Sequence, residues 1–247
     1  MTTLDAQAGK SRFQSESRFF LIMSIVSVTI LFLGFAPSFY LKPVIQAPVP
    51  PLSALSFAHG VVGTLWMVLF VTQAALISNN NHALHRQLGM MGALLFGLMA
   101  MLGYWTAIKA GELGHVPPEA PPPLAFMALP LIGMTGSLML VAMALWNRSH
   151  SDWHKRLMLA AMFSVTGPGT GRLAVPLGVA AWGPQGGMFV TELLLVVAMA
   201  YDQVQSKRIH PAYWYAAAIL VATHIAVTWA FASPAAWIAF AQFLTQS

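Results

Sequence analysis

Seven long apolar stretches, separated by short connectors that carry almost every charge, decide what this chain can become. They run over roughly 18–41, 53–78, 87–109, 124–146, 155–181, 186–205 and 211–233, and a hydrocarbon core about 30 Å thick needs about 20 apolar residues per helical span. Only helices or closed barrels satisfy their backbone in lipid, and stretches this long, without strand alternation, predict helices. Charged residues are 8% of 247 and the mean hydropathy is +0.68, so lipid has to be the solvent for most of the surface. The fold expected is an all-α polytopic membrane protein, a bundle of seven transmembrane helices over 18–233. Residues 1–17 are polar and expected to be disordered. The segment 234–247 is expected along the interface, with Trp237, Phe240 and Leu244 on one helical face. The first apolar run exceeds the 7–15 residues or so of a cleaved signal, so it is read as a retained anchor.

Basic residues orient the bundle. Nine of the twelve fall on one side: Lys10, Arg12, Arg18, Arg86, Arg148, Lys155, Arg156, Lys207 and Arg208. Lys42, Lys109 and Arg172 fall on the other, and by the positive-inside rule the amino terminus is cytoplasmic and the carboxyl terminus outside. Aromatic residues mark both interfaces, Tyr40, Tyr104, Trp105, Trp182, Trp229 and Trp237 at outer ends and Trp146, Trp153, Tyr201, Tyr213, Trp214 and Tyr215 at inner ones. Trp66, in mid-span, is the exception. The net charge of +5 is dispersed over several connectors, which fits topology and not a nucleic-acid stripe. Absence of cysteine excludes disulfides, iron–sulfur clusters, thioether-linked haem and thiolate zinc sites. The proline-rich outer connectors 42–52 and 110–123 are expected to be extended caps.

Four ionisable residues sit where lipid forbids them: His59, Arg172, Glu192 and His224. Counted from the outer helix ends at about 1.5 Å per residue, all four share one layer roughly 9–14 Å deep. One reading pairs Arg172 with Glu192 and leaves each histidine bonded to a backbone carbonyl. A second makes His59 and His224 the axial ligands of a haem b, with Arg172 neutralising a propionate, or adds Glu192 as a third metal ligand. A third starts from the run Thr166-Gly167-Pro168-Gly169-Thr170-Gly171-Arg172, whose poor helix formers predict either a simple proline kink repaired by the Thr166 and Thr170 hydroxyls or a broken fifth span of the kind that builds transporter sites.

Span 2 carries His59, Gly63, Trp66, Phe70 and Gln73 at three- and four-residue steps, so this face looks inward. The inner ends HALHRQLGMMGA, SDWHKRLMLAAM and KRIHPAYWYAAA each place a histidine beside cations at the start of an odd-numbered span. His85, His154 and His210, with Arg86, Lys155, Arg156, Arg208 and Asp202, are expected to meet anionic lipid headgroups.

The ordered set FYLKP, AHG, LHRQLG, PPPLAFMALP, WHKRLML and IHPAYWY resembles a family of bacterial seven-span inner-membrane proteins with no assigned activity. The resemblance covers about Phe39 to Trp237 and implies the seven-helix fold and the inner membrane, but no ligand. That family pattern has a histidine where this chain has Phe57, and does not include His224. Ser56 and His59 are also similar to positions in the seven-span zinc hydrolases related to adiponectin receptors, but Thr228 replaces the second histidine of their HxxxH. Three functions therefore stand as expectations: a histidine-dependent haem- or metal-binding redox protein, a small-molecule transporter or binder around the fifth span, and a structural partner of other membrane subunits.

Overall fold

The computed structural model describes residues 3–45, 51–116, 120–174, 177 and 186–246, and the described residues form helices and connectors without a strand. Helix α1 (Thr3–Phe35) ends in a π-helical turn, Ala36–Tyr40, followed by the short α2 (Lys42–Ile45). Pro37 enters that turn without an N–H to give, and Leu41 N reaches back five residues to Ala36 O at 2.7 Å. Next come α3 (Ala54–Ser78), α4 (His82–Glu112), the single turn α5 (Pro123–Phe126), α6 (Ala128–Trp146), α7 (Ser151–Ala174), α8 (Gly186–Ser206), α9 (Pro211–Phe231) and α10 (Ala235–Gln246).

Local chemistry sets several of these boundaries. Ser53 caps α3 by accepting Ser56 N at 3.0 Å, and Asn81 caps α4 by accepting Leu84 N at 3.2 Å. His210 caps α9 by accepting Ala212 N at 3.2 Å, and Pro211 presets the first helical turn. Asn80 turns the chain between α3 and α4 at φ 58°, a left-handed conformation asparagine tolerates.

Six helical segments are long and apolar enough to cross a membrane: Phe13–Tyr40, Ala54–Ser78, His82–Glu112, Pro123–Trp146, Gly186–Ser206 and Pro211–Phe231. The chain is a multipass membrane protein. The expected seventh, α7, is not in that set, because its described residues carry Asp152, Lys155, Arg156 and Arg172 and the polar, glycine-rich run 166–171; it is nonetheless the hub of the bundle, packed on α1, α6, α8 and α9. Leu157, Leu159, Ala160, Ala161, Met162 and Phe163 are buried in succession all round it. A helix wrapped by protein needs small residues for close approach more than bulky apolar ones. A Cβ on Gly34 of α1 would strike Gly169 O, and one on Gly187 of α8 would strike Gly167 O.

The long helices alternate in direction, and contacts fix one common end. Glu16 near the foot of α1 reaches the start of α7, Asp202 near the end of α8 bonds the His210 N–H before α9, and Gln73 near the end of α3 bonds His85 O at the start of α4. This is called the charged end below.

Several expectations change. Residues 3–17 continue α1 and are not disordered, and Ser15 and Glu16 make tertiary bonds to Tyr201, Lys155 and Arg156. The connector 42–52 opens with a helical turn, its residues 46–50 lying outside the described ones. Between α4 and α5, Gly114 turns at φ 70°, and 117–119 lie outside the described residues. Trp182 and the expected last turns of the fifth span lie outside them too. α10 does not merely lie on an interface: Trp237 is buried against Ala107 and Met127 and donates Nε1–H to Leu124 O at 2.8 Å, while Phe240 stays exposed.

Candidate functional site

Glu192 stands one turn and a half into α8, and His224 two turns before the end of α9. The helices pack side by side, and His224 Nδ1 lies 2.8 Å from Glu192 Oε1. The side chains are 14% and 27% exposed, so both titratable groups are largely shielded by protein. Phe189, one turn before Glu192, sets its ring edge-on against the imidazole with centroids 4.6 Å apart. At this separation the imidazole Nδ1–H donates to the carboxylate oxygen.

Beside the pair is a cavity of about 30 Å³, lined by Gly133, Gly136, Ser164, Thr191, Glu192 and Thr223 together with Met188 and Leu220. A water needs about 10–15 Å³ of such space and two or more polar partners. Three hydroxyls and a carboxylate supply those partners. On α6, Gly133 borders open space, while Gly136 lets Thr223 of α9 approach closely. The cavity's hydroxyls are tethered by local bonds, Ser164 Oγ to Ala161 O at 2.7 Å and to Ser137 Oγ at 2.7 Å, and Thr191 Oγ1 to Phe163 O at 3.2 Å. Toward the charged end the core is apolar: Phe163, Leu159, Leu195 and Leu140 are buried there.

Arg172 does not join the pair, which corrects the expected Arg172–Glu192 bridge. Its Nη1 donates to Pro168 O at 3.0 Å, and its guanidinium lies over the Phe35 ring, 4.1 Å from the centroid. Glu192 has His224 instead, and among the described residues Arg172 forms no ion pair. The reason is rotational: Arg172 is exposed on the face of α7 turned toward α1, away from α8.

His59 does not meet His224 either. Its Nδ1 bonds Met99 O at 3.1 Å, and its ring covers Gly103 of α4 together with the methyl of Met134. α3 packs on α1 and α4 while α9 packs on α6, α7 and α8, so α6 and α7 stand between the two histidines. One haem or metal held by both would require crossing those helices. The stripe of span 2 does face inward, onto α4: Gly63 meets Met99, Trp66 meets Phe96, and Gln73 bonds His85 O.

Within the described residues, to Ala174, the fifth span is not broken. α7 runs through Pro168 as one helix, with Thr166 Oγ1 bonded to Met162 O at 2.9 Å and Thr170 Oγ1 bonded to Gly167 O at 2.8 Å and to Gly187 O at 3.2 Å. The last bond ties α7 to α8, one turn of helix from Glu192.

At the charged end a network lies where headgroup contact was expected. Arg156 is 4% exposed and Asp202 2%; Arg156 Nε meets Asp202 Oδ2 at 2.9 Å and Nη2 meets Oδ1 at 2.6 Å. Glu16 joins Arg156 at 3.1 Å and Lys155 at 2.9 Å, and Asp152 joins Lys155 at 2.7 Å. Lys155 holds the Asp152 carboxyl below the usual carboxylate range through that hydrogen bond. Asp202 Oδ2 also accepts His210 N at 3.1 Å, so one carboxylate binds α7 and the start of α9 to α8. Burial, with Arg156 nearby, lowers the pKa of the His210 imidazole and keeps it neutral as a helix cap. The sequence held a signal for this: Glu16, Asp152 and Asp202 are acidic residues at inner span ends that otherwise carry cations.

No family model matches the chain, and no curated protein or solved structure matches it.

Proposed function

We propose that the protein is a proton-coupled membrane transporter of small solutes, with Glu192 and His224 as the intramembrane proton-binding pair. The observation that carries this is the 2.8 Å contact between the two titratable side chains beside a water-sized hydroxylated cavity. Ionisable groups inside membrane bundles are costly and mark proton relays and ion pathways. Here each partner offsets the other's charge, so the pair can gain or lose one proton without leaving two bare charges in low dielectric. The apolar core below the cavity blocks continuous conduction. Transport then requires the helices to rearrange, and the Arg156–Asp202 network is the clamp that has to open.

The same reading takes α7 as a seventh span, places the amino terminus and the charged end in the cytoplasm, and puts the protein in a bacterial inner membrane. Nine basic residues on that side support it.

The test needs no knowledge of the cargo. Protein reconstituted in liposomes on a solid-supported membrane is given a pH step, and the transient current from proton binding within the membrane field is recorded. The wild type gives a transient that is at least about tenfold smaller in Glu192→Gln and His224→Gln. A wild type without a transient, or variants with an undiminished one, overturns the reading.

A second reading, histidine-held haem b, is favoured by one feature: Nδ1 of His59 is fixed by a backbone carbonyl, the orientation that ligand imidazoles take, with Nε2 left over. A reduced-minus-oxidised visible spectrum of purified protein decides it, and a flat spectrum from haem-replete cells overturns it.

A further inference from the structure

The junction of α3, α4 and α7 at the charged end holds three polar atoms without a committed protein partner. His85 Nδ1 is buried and has no hydrogen-bond partner, and so is Gln73 Oε1. The Gln73 amide is not free to turn round, because its Nε2 donates to His85 O at 3.1 Å. His154 uses its Nδ1 on Ala144 O at 2.8 Å, which makes Nδ1 the protonated nitrogen and leaves Nε2 with a lone pair. The His85 and His154 rings lie edge to face with centroids 6.4 Å apart. Buried polar atoms of folded proteins are nearly all satisfied, so two orphans beside a half-committed imidazole mark a place where something binds.

We propose that His85 and His154 bind a divalent first-row transition-metal ion through His85 Nδ1 and His154 Nε2, with Gln73 Oε1 as the neighbouring oxygen donor. With metal–imidazole bonds of about 2.0–2.1 Å, one ion holds two rings with centroids up to roughly 6.5 Å apart, so the observed 6.4 Å spacing corresponds to the two imidazoles on opposite sides of the ion, and a bent arrangement draws the rings closer. Imidazole pairs with an oxygen donor suit copper, nickel and zinc, and the lack of cysteine removes soft thiolate competition. The bond from His154 Nδ1 to a backbone carbonyl is the supporting contact that fixes a ligand imidazole in orientation and tautomer. Two of the nearby cations are neutralised, Lys155 by Glu16 and Asp152 and Arg156 by Asp202, while Arg86 follows His85 directly in the chain. This site is separate from the Glu192–His224 pair and does not depend on it.

Metal-stripped protein in mild detergent, titrated with Cu(II) and read by electron paramagnetic resonance, tests it. The expected result is one tight equivalent per chain with hyperfine structure from two nitrogens. His85→Gln and His154→Gln each weaken that equivalent at least about tenfold, while His82→Gln and His150→Gln, at exposed positions, leave it unchanged. The wild-type spectrum decides the matter even if a variant fails to fold. A wild type without a stoichiometric two-nitrogen signal, binding indifferent to both site variants, or equal loss in His82→Gln or His150→Gln overturns the proposal.

Discussion

The Arg156 guanidinium and the Asp202 carboxylate meet in parallel, at 2.9 and 2.6 Å, with side chains only 5% and 2% exposed. Two parallel charge-assisted bonds hold α7 to α8 in one register, and Glu16 and His210 extend the hold to α1 and α9. Breaking such a pair from one side leaves a bare buried charge. Asp202→Asn and Arg156→Leu are therefore each expected to destabilise by about 3–5 kcal/mol, whereas the double variant Arg156→Met/Asp202→Leu recovers much of that loss. Denaturant unfolding in a fixed detergent measures it. A double variant no more stable than the singles rules out the buried-charge explanation.

Stability is also expected to depend on pH through His210. Its folded pKa lies below the unfolded value of about 6.5, so the unfolded chain binds protons first as pH falls. The contribution is present in full above about 6.5 and is lost as pH drops through the lower folded value. His210→Asn keeps a capping acceptor without a titrating ring. Melting temperature followed from pH 8 to 5 should fall less steeply in this variant, and an unchanged slope removes His210 from the pH response.

The glycines of the bundle divide by what surrounds them. A methyl on Gly34 would run into the Gly169 carbonyl across the α1–α7 interface, while one on Gly97 would meet nothing. Gly34→Ala should cost about 1–3 kcal/mol from overpacking, and Gly97→Ala should gain up to roughly 1 kcal/mol from helix propensity. Equal effects of the two substitutions would mean that α1 and α7 do not pack this closely.

The absence of native cysteine makes topology easy to probe. A cysteine at exposed Ser149 should react with a membrane-impermeant maleimide only after permeabilisation, and one at exposed His115 should react in intact cells. The reverse pattern inverts the bundle, and labelling of both sites in intact cells means that α6, which lies between them, does not cross the membrane.

What the sequence made legible was decided by period and hydropathy. Those two signals locate the long helices, turn the face of α3 that carries Trp66 inward, and put His59, Glu192 and His224 at comparable depth. They carry nothing about which helices are neighbours. Depth alone made His59 and His224 look like partners and hid the fact that α6 and α7 separate them. Depth also allowed Arg172 to pair with Glu192, although the rotation of α7 turns Arg172 to Phe35. The clamp of Arg156 and Asp202 was missed for the same reason: its residues read as an interfacial basic cluster until packing brought an acid 46 positions away into the core. Glycines and a proline weaken a helix in isolation, so the sequence left α7 either broken or kinked with Thr166 and Thr170 repairing it, and the described helix runs through Pro168 with both hydroxyls bonded to its backbone. In the bundle those glycines are what let α1 and α8 approach.

The most direct measurement is a pH-difference infrared spectrum of the protein in lipid, read at the protonated-carboxyl stretch in wild type, Glu192→Gln and His224→Gln. A shared proton predicts a titrating carboxyl band that disappears in Glu192→Gln and moves to a different pH range in His224→Gln. A spectrum identical in all three proteins would show that the two side chains carry no common proton, and the transport reading would fall with them.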